Sequence, residues 1–392
     1  MENKKERQLI LILSCVQFAH ILDFVLVMPL GPQLIHAFDL NASQLGWLVS
    51  SYTFAAAISG MLVSQFMDRV NRKKALTVFC LILSFSTLAC AFAPTFGLLL
   101  FARSLAGASG GVLNGILLAI IGDQIPEDRR GAAIGKVMSS FAIASVVGIP
   151  ANLYLASLWG WSSPFLVLGA IAFAIVSSVH KWLLLPEFVK TKIVKLDNHR
   201  LSKKYLFLGL ASTFFLMFAG FSVVPYVSTS LVANAGVKES SLFIIYLVAG
   251  TTSFFLSRFI GILSDRYGKL KTFYIIGSCS IFSTLIITRL DSVGILLSAI
   301  ATAIYMAFNS SRTVPLLSLL VSKVPVQSRG RFMSLNSSAQ QFAAGMGAAF
   351  SSYFVNIDSF GRLTGFENVG IVSIVAILCS LASAKIFNAE PH

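Results

Sequence analysis

Runs of about 20 apolar residues recur from one end of this chain to the other, with short polar connectors between them. Each run is long enough to cross the roughly 30 Å hydrocarbon core of a bilayer as a helix. A water-soluble fold has nowhere to bury so much apolar surface: 56% of the 392 residues are hydrophobic, and mean hydropathy is +0.81. The short alternating strands of a membrane β-barrel do not occur in the sequence. The pattern predicts an all-α polytopic membrane protein with twelve transmembrane helices, over about 8–31, 44–67, 75–93, 97–121, 131–155, 163–185, 204–231, 240–264, 271–289, 293–322, 332–355 and 368–387. The N-terminal run starts like a signal peptide but continues to Leu30 without a small-residue cleavage pattern, so it reads as a retained first span.

The net charge of +14 is explained by topology and needs no nucleic-acid partner. Of 30 Lys and Arg residues, Lys238, Arg289 and Arg362 fall on one side, and Arg103, Arg258 and Arg312 fall within spans. The other 24 fall on the opposite side. By the positive-inside rule that side is cytoplasmic and holds both termini, as expected for a multi-pass protein of the cell membrane, such as a bacterial inner membrane. Trp47, Trp159, Trp161 and Trp182 sit near predicted span ends, where indole suits the interface. The five cysteines all lie in apolar runs and form neither a disulfide framework nor a metal-ligand spacing.

The longest connector, PEFVKTKIVKLDNHRLSK, falls at mid-chain. It divides the sequence into an N-terminal six-helix bundle (1–185), a cytoplasmic linker (186–203) and a C-terminal six-helix bundle (204–392). The halves repeat each other. "SQFMDRVNRKKAL" after the second span aligns Asp68-Arg69 with Asp265-Arg266 of "GILSDRYGKLKTF" after the eighth. "QIPEDRRGAA" aligns Pro126, Arg130 and Gly131 with Pro325, Arg329 and Gly330 of "KVPVQSRGRF". Two similar six-span halves imply a pseudo-two-fold axis along the membrane normal, with a site between the halves and alternating access by rocking.

On these residues the chain resembles the major facilitator superfamily of secondary transporters over nearly its whole length. The loop motif G-x-x-x-D-R-x-G-R-[KR] matches best at Gly261 to Lys269; in the first copy Ser64 and Asn71 stand where the glycines belong. Arg103 to Gly107 is similar to the fourth-span R-x-x-x-G of twelve-span drug:proton antiporters. Gly148 to Trp161 resembles the fifth-span antiporter motif of the arabinose-efflux-like branch, with Asn152 in place of a small residue. The resemblance implies two pseudo-symmetric six-helix bundles and a cytoplasmic gate built from Asp68, Arg69, Arg72, Arg130, Asp265, Arg266 and Arg329.

Among 16 acidic residues only Asp23 lies well within a predicted span. Such a charge is costly, and by default functional. At the usual helical rise Asp23 and Arg103 stand about 22 Å and about 21 Å above the inner boundary, so an Asp–Arg pair between spans 1 and 4 is expected. Gly107 and Gly110 on the Arg103 face favour close helix approach. The pair serves either as a proton-coupling site or as a static lock between two helices. Gln17, His20 and Asp23 share an arc of the first helix, and Asn114 shares the Arg103 face. Asn309, Arg312, Gln340 and Gln341 bring polar groups to the second half, with Arg312 near the midplane. These are the candidate cavity residues. Three intramembrane arginines against one aspartate disfavour organic cations and suit neutral, zwitterionic or anionic substrates.

Motifs such as HExxH and the Gly-rich phosphate loop do not occur, and no connector is long enough for a nucleotide-binding or sensor domain. The expectation is a non-enzymatic, monomeric secondary transporter. It would export small, partly apolar organic molecules against protons, with no cofactor beyond the coupling proton. The alternative is a proton symporter for an organic acid, sugar or metallophore.

Overall fold

The computed structural model describes residues 4–64, 71–183 and 202–389, and almost all of them are helical. Eleven helices are long and apolar enough to cross a membrane. In chain order they are span 1 (Lys4–Leu26), span 2 (Ala42–Ser64), span 3 (Arg72–Ala91), span 4 (Phe96–Gln124), span 5 (Arg129–Trp159), span 6 (Ser163–Trp182), span 7 (Lys203–Ala233), span 8 (Leu242–Tyr267), span 9 (Lys269–Ile287), span 10 (Gly294–Lys323) and span 12 (Phe366–Ala389). The remaining expected helix is span 11 (Val326–Ser351). Asn336, Ser337, Ser338, Gln340 and Gln341 make it too polar to stand out by composition alone.

Three helices depart from the sequence expectation, each near proline. Span 1 stops at Leu26 instead of running to 31, because Pro29 and Pro32 cannot continue its hydrogen-bond ladder. Pro32 instead opens a short helix, Gly31–Phe38. Span 5 contains a π-helical turn, Ala144–Gly148, immediately before Pro150. Span 10 is two helices, Gly294–Ser311 and Thr313–Lys323, that meet at Arg312. Pro315 lies in the first turn of the second piece.

The chain forms two compact units. One comprises Met1–Val27 and Ser51–Lys195, the other Met28–Ser50 and Leu196–His392. Thus residues 28–50 pack within the second unit. There the Ser228 hydroxyl donates to the Met28 carbonyl at 2.8 Å, and the Ser43 hydroxyl donates to the Ser352 carbonyl at 2.8 Å.

In the first unit, spans 2 and 4 cross at glycine. A Cβ on Gly107 or Gly111 would strike the carbonyls of Tyr52 and Ala56, so the two backbones touch where side chains elsewhere would separate them. Leu13, Val16, Leu113, Ile116 and Ile120 fill the core below. The second unit has its own core, around Leu216, Phe273, Leu320, Phe332 and Phe387. Large apolar side chains such as Phe85, Phe101, Phe207, Phe255 and Phe282 point outward, as a lipid-facing surface requires. After span 11 the strands β1 (Asn356–Ile357) and β2 (Leu363–Thr364) form a small antiparallel ribbon.

Candidate functional site

Among the described residues each unit holds one buried arginine, and the candidate site residues sort around the two. In the first unit Arg103 is 1% exposed and Asp23 is 0% exposed. Span 4 places Arg103 Nη1 3.0 Å from Asp23 Oδ2. The Thr87 hydroxyl, from span 3, donates to Asp23 Oδ1 at 2.8 Å. Arg103 Nη2 approaches the Phe24 carbonyl at 3.4 Å, and the guanidinium lies 4.5 Å from the centre of the Tyr52 ring, which stacks on Phe24. An isolated charge at this depth is penalised by several kcal/mol or more, in order of magnitude, which an opposite charge with further hydrogen bonds offsets. The cage supplies all three kinds of partner: carboxylate, carbonyl and π-face.

Beside this pair lies a second group of buried polar atoms. His20 is buried, and neither ring nitrogen has a hydrogen-bond partner; the Tyr52 hydroxyl and Gln17 Oε1 are also unpartnered. His20 Nε2 and the Tyr52 hydroxyl both stand 2.6 Å from the point a Cβ on Gly110 would occupy, so the absence of a side chain at Gly110 lets them meet. Asn114 is half-buried one turn further along span 4. Asn152 turns back on its own helix, and its Nδ2 donates to the Gly148 carbonyl of the π turn at 2.9 Å.

In the second unit Arg312 is 2% exposed. Its partners are all neutral. Nη2 donates to Asn309 Oδ1 at 2.6 Å and to the Leu216 carbonyl at 3.3 Å, and Nη1 reaches the Ser280 hydroxyl at 3.4 Å. Nε has no partner. Gln340 and Gln341 are half-buried on span 11. The deeper amide of that helix is Asn336, whose Oδ1 accepts from the Thr213 hydroxyl at 2.6 Å.

The expected gate residues are only in part among the described residues. Asp68 and Arg69 lie outside them, as does the side chain of Arg329. Arg72 Nε donates to Asp123 at 3.2 Å, Arg130 Nη2 donates to the Gly122 carbonyl at 2.7 Å, and Arg129 pairs with Glu6 at 2.8 Å. Asp265 and Arg266 are exposed. The duplicated loop nonetheless solves one problem in two ways. Asn71 and Gly268, which align in the repeat, both serve as the N-cap of the next span. Asn71 has φ −62° and accepts from the Lys74 N–H through its side chain; Gly268 has φ +95° and no side-chain cap. The missing glycine in the first copy is thus a change of cap.

Thr87 and Tyr52 are the participants that sequence reading misses. Hydroxyl and phenol side chains are common in these spans, and only the helix packing brings these two to the Arg103 cage.

Residues 13–348 match the family model described as Major Facilitator Superfamily. An uncharacterized MFS-type transporter of Bacillus subtilis, YbcL, is 26% identical over 97% of this chain and 96% of its own. The inner membrane transport protein YdhP of Escherichia coli O157:H7 is 23% identical over 91% of each. Among solved structures, a D-xylose-proton symporter superposes with TM-score 0.76 at 16% identity, covering 95% of this chain and 97% of its own.

Proposed function

The chain belongs to the major facilitator superfamily and is a membrane-embedded transporter of small molecules, not an enzyme; on that premise we propose that it is a proton-coupled exporter of small, partly apolar organic compounds. It would act as a monomer in the cell membrane by alternating access, with both termini cytoplasmic. The observation that carries this reading is the Asp23–Arg103 pair, a carboxylate with 0% exposure held by a guanidinium at 3.0 Å.

Such a pair suits coupling because neither member gains from being neutralised alone. If Asp23 takes a proton, Arg103 keeps the Phe24 carbonyl and the Tyr52 ring but loses its counter-charge. The cage then favours a different arrangement, and release of the proton restores the first. A proton descending 100 mV yields roughly 2.3 kcal/mol, enough to bias two states that differ by a few kcal/mol. Thr87 fixes which carboxylate oxygen faces the guanidinium.

A carbodiimide attacks only the protonated form of a buried carboxyl, so it reports this exchange without any substrate. Labelling of Asp23, read by mass spectrometry, is expected to accelerate from mildly alkaline to mildly acidic pH. A carboxyl that never labels across that range is a static lock, and coupling through it is then wrong. In vesicles with an imposed pH gradient an exporter moves substrate against the proton flow and a symporter moves it with the flow. Gradient-driven transport by Asp23→Asn at the wild-type rate would refute both.

A further inference from the structure

We propose that Arg312 is the binding site for a carboxylate group of the transported compound, so that the substrate class is an organic anion with an apolar body. This deepens the transporter reading above and rests on it. Four observations within the second unit support it.

The guanidinium is 2% exposed, yet every partner it has is neutral. A buried arginine is ordinarily paired with an acid, because the cost of desolvating the cation is otherwise unmet. Arg103 in the first unit obeys this rule, with Asp23 at 3.0 Å. Among the described residues Arg312 has no ion pair.

The empty positions have the right shape. Nε and Nη2 form one edge of the guanidinium, the edge that takes the two oxygens of a carboxylate side by side. Nη2 already donates to an amide oxygen, Asn309 Oδ1, at 2.6 Å, while Nε is buried with nothing to donate to. Half of a carboxylate fork is therefore filled by a neutral stand-in, and half is open. Rotation of the Asn309 side chain, which is half-buried, would clear the edge for both oxygens.

A further donor stands nearby. Tyr305, Asn309 and Arg312 follow one another at helical spacing on span 10, which puts them on one face. The Tyr305 hydroxyl is buried without a partner. A phenol hydroxyl can donate to the same anion. Gly220 of span 7 closes the other side: a Cβ there would stand 3.0 Å from Asn309 Oδ1 and 3.4 Å from Arg312 Nη2, so any side chain would crowd the group.

Finally, span 10 has a joint at this residue. One helix ends at Ser311 and another begins at Thr313, while Arg312 keeps helical dihedrals and its N–H donates to the Phe308 carbonyl at 3.2 Å. Pro315 has no N–H to offer the Ser311 carbonyl, which weakens the ladder beside Arg312 and lets the helix adjust there.

The test uses purified protein in nanodiscs, at mildly alkaline pH and without any gradient. The probes are 4-phenylbutyrate and its uncharged analogue 4-phenylbutanamide, with binding read by thermal shift and titration calorimetry. The carboxylate is expected to bind saturably and the amide about tenfold or more weakly, since a site built to pair with a charge rejects the analogue lacking it. Arg312→Gln should lose the preference, Arg312→Lys should keep part of it, and Tyr305→Phe, a conservative change, should weaken the carboxylate alone by several-fold. The proposal is overturned by no carboxylate binding in the wild type, by equal binding of acid and amide, or by Arg312→Gln and Tyr305→Phe both binding like the wild type. Arg312-dependent binding with no sensitivity to pH would leave this inference standing and remove proton coupling; pH-dependent carbodiimide labelling of Asp23 without carboxylate binding would do the reverse.

Discussion

Two arginines are almost fully buried, one in each half of a duplicated chain, and their surroundings differ. Arg103 sits in an unbroken helix, Phe96–Gln124, and has a carboxylate, a carbonyl and an aromatic face around it. Arg312 sits at the joint of two helical pieces and has an amide, a carbonyl and a hydroxyl but no carboxylate; Nε is unpartnered in both arginines. The first charge is balanced from within the protein; the second is left for something else to balance. The duplicated fold thus gives one half a closed ion pair, suited to exchanging a proton, and the other half an open one, suited to accepting an anion.

The difference is most easily broken through stability. Arg103→Gln strands Asp23 in a buried site and should cost about 3–5 kcal/mol, as breaking a buried pair by one partner does. The double variant Arg103→Gln/Asp23→Asn should recover much of that loss in a double-mutant cycle. Arg312→Gln strands no charge and should cost only about 1–3 kcal/mol, for carbonyl and amide groups left short of a donor. Thermal unfolding in nanodiscs checks all three, and equal losses for the two single arginine variants would erase the distinction.

Smaller changes sharpen it. Thr87→Val removes the hydroxyl that donates to Asp23 Oδ1 at 2.8 Å. It should cost about 1.5–3 kcal/mol, the range for hydrogen bonds to a charged group, and make carbodiimide labelling of Asp23 faster. Gly220→Ala adds a methyl 3.0 Å from Asn309 Oδ1; it should reduce carboxylate affinity several-fold while leaving Asp23 labelling unchanged.

The smallest effect separates the two halves at their matching loops. Asn71→Gly exchanges one good cap for another and should cost only a few tenths of a kcal/mol. Gly268→Val forces a β-branched residue to φ +95°, which costs of order 1–3 kcal/mol. Similar unfolding temperatures for the two variants would show that the caps do not differ in kind.

Much of this was legible in the sequence because lipid makes a few features conspicuous. Apolar runs announce helices, and a lone aspartate at mid-span announces a partner, so matching depths singled out Arg103 before any geometry was known. Span 11 is the least conspicuous of the apolar runs, since its amides dilute its hydropathy. What stayed hidden depends on contacts across helices. Thr87 and Tyr52 are ordinary span residues until spans 2, 3 and 4 meet around Asp23. The joint at Arg312 is hinted at by Pro315, but a proline in a first turn and one in a helix interior look alike in sequence. On span 11 the expected cavity amides were Gln340 and Gln341, and the fully buried one is Asn336, whose distinction is its Thr213 partner. The gate residues were implied by the family resemblance; among those with described side chains Arg72 pairs with Asp123, Arg130 donates to the Gly122 carbonyl, and Asp265 and Arg266 are exposed.

In the proposed cycle the two arginine sites divide the work, one holding the proton and the other the anion, and the states of the two are linked. By reciprocity, binding at one site must then change occupancy at the other. The direct measurement is the number of protons exchanged when 4-phenylbutyrate binds the protein in weakly buffered nanodiscs, followed with a pH indicator. An exporter of this design releases up to one proton for each carboxylate bound, and Asp23→Asn releases none. Proton uptake on binding would point to symport, and binding with no proton exchange in the wild type would contradict the linkage altogether.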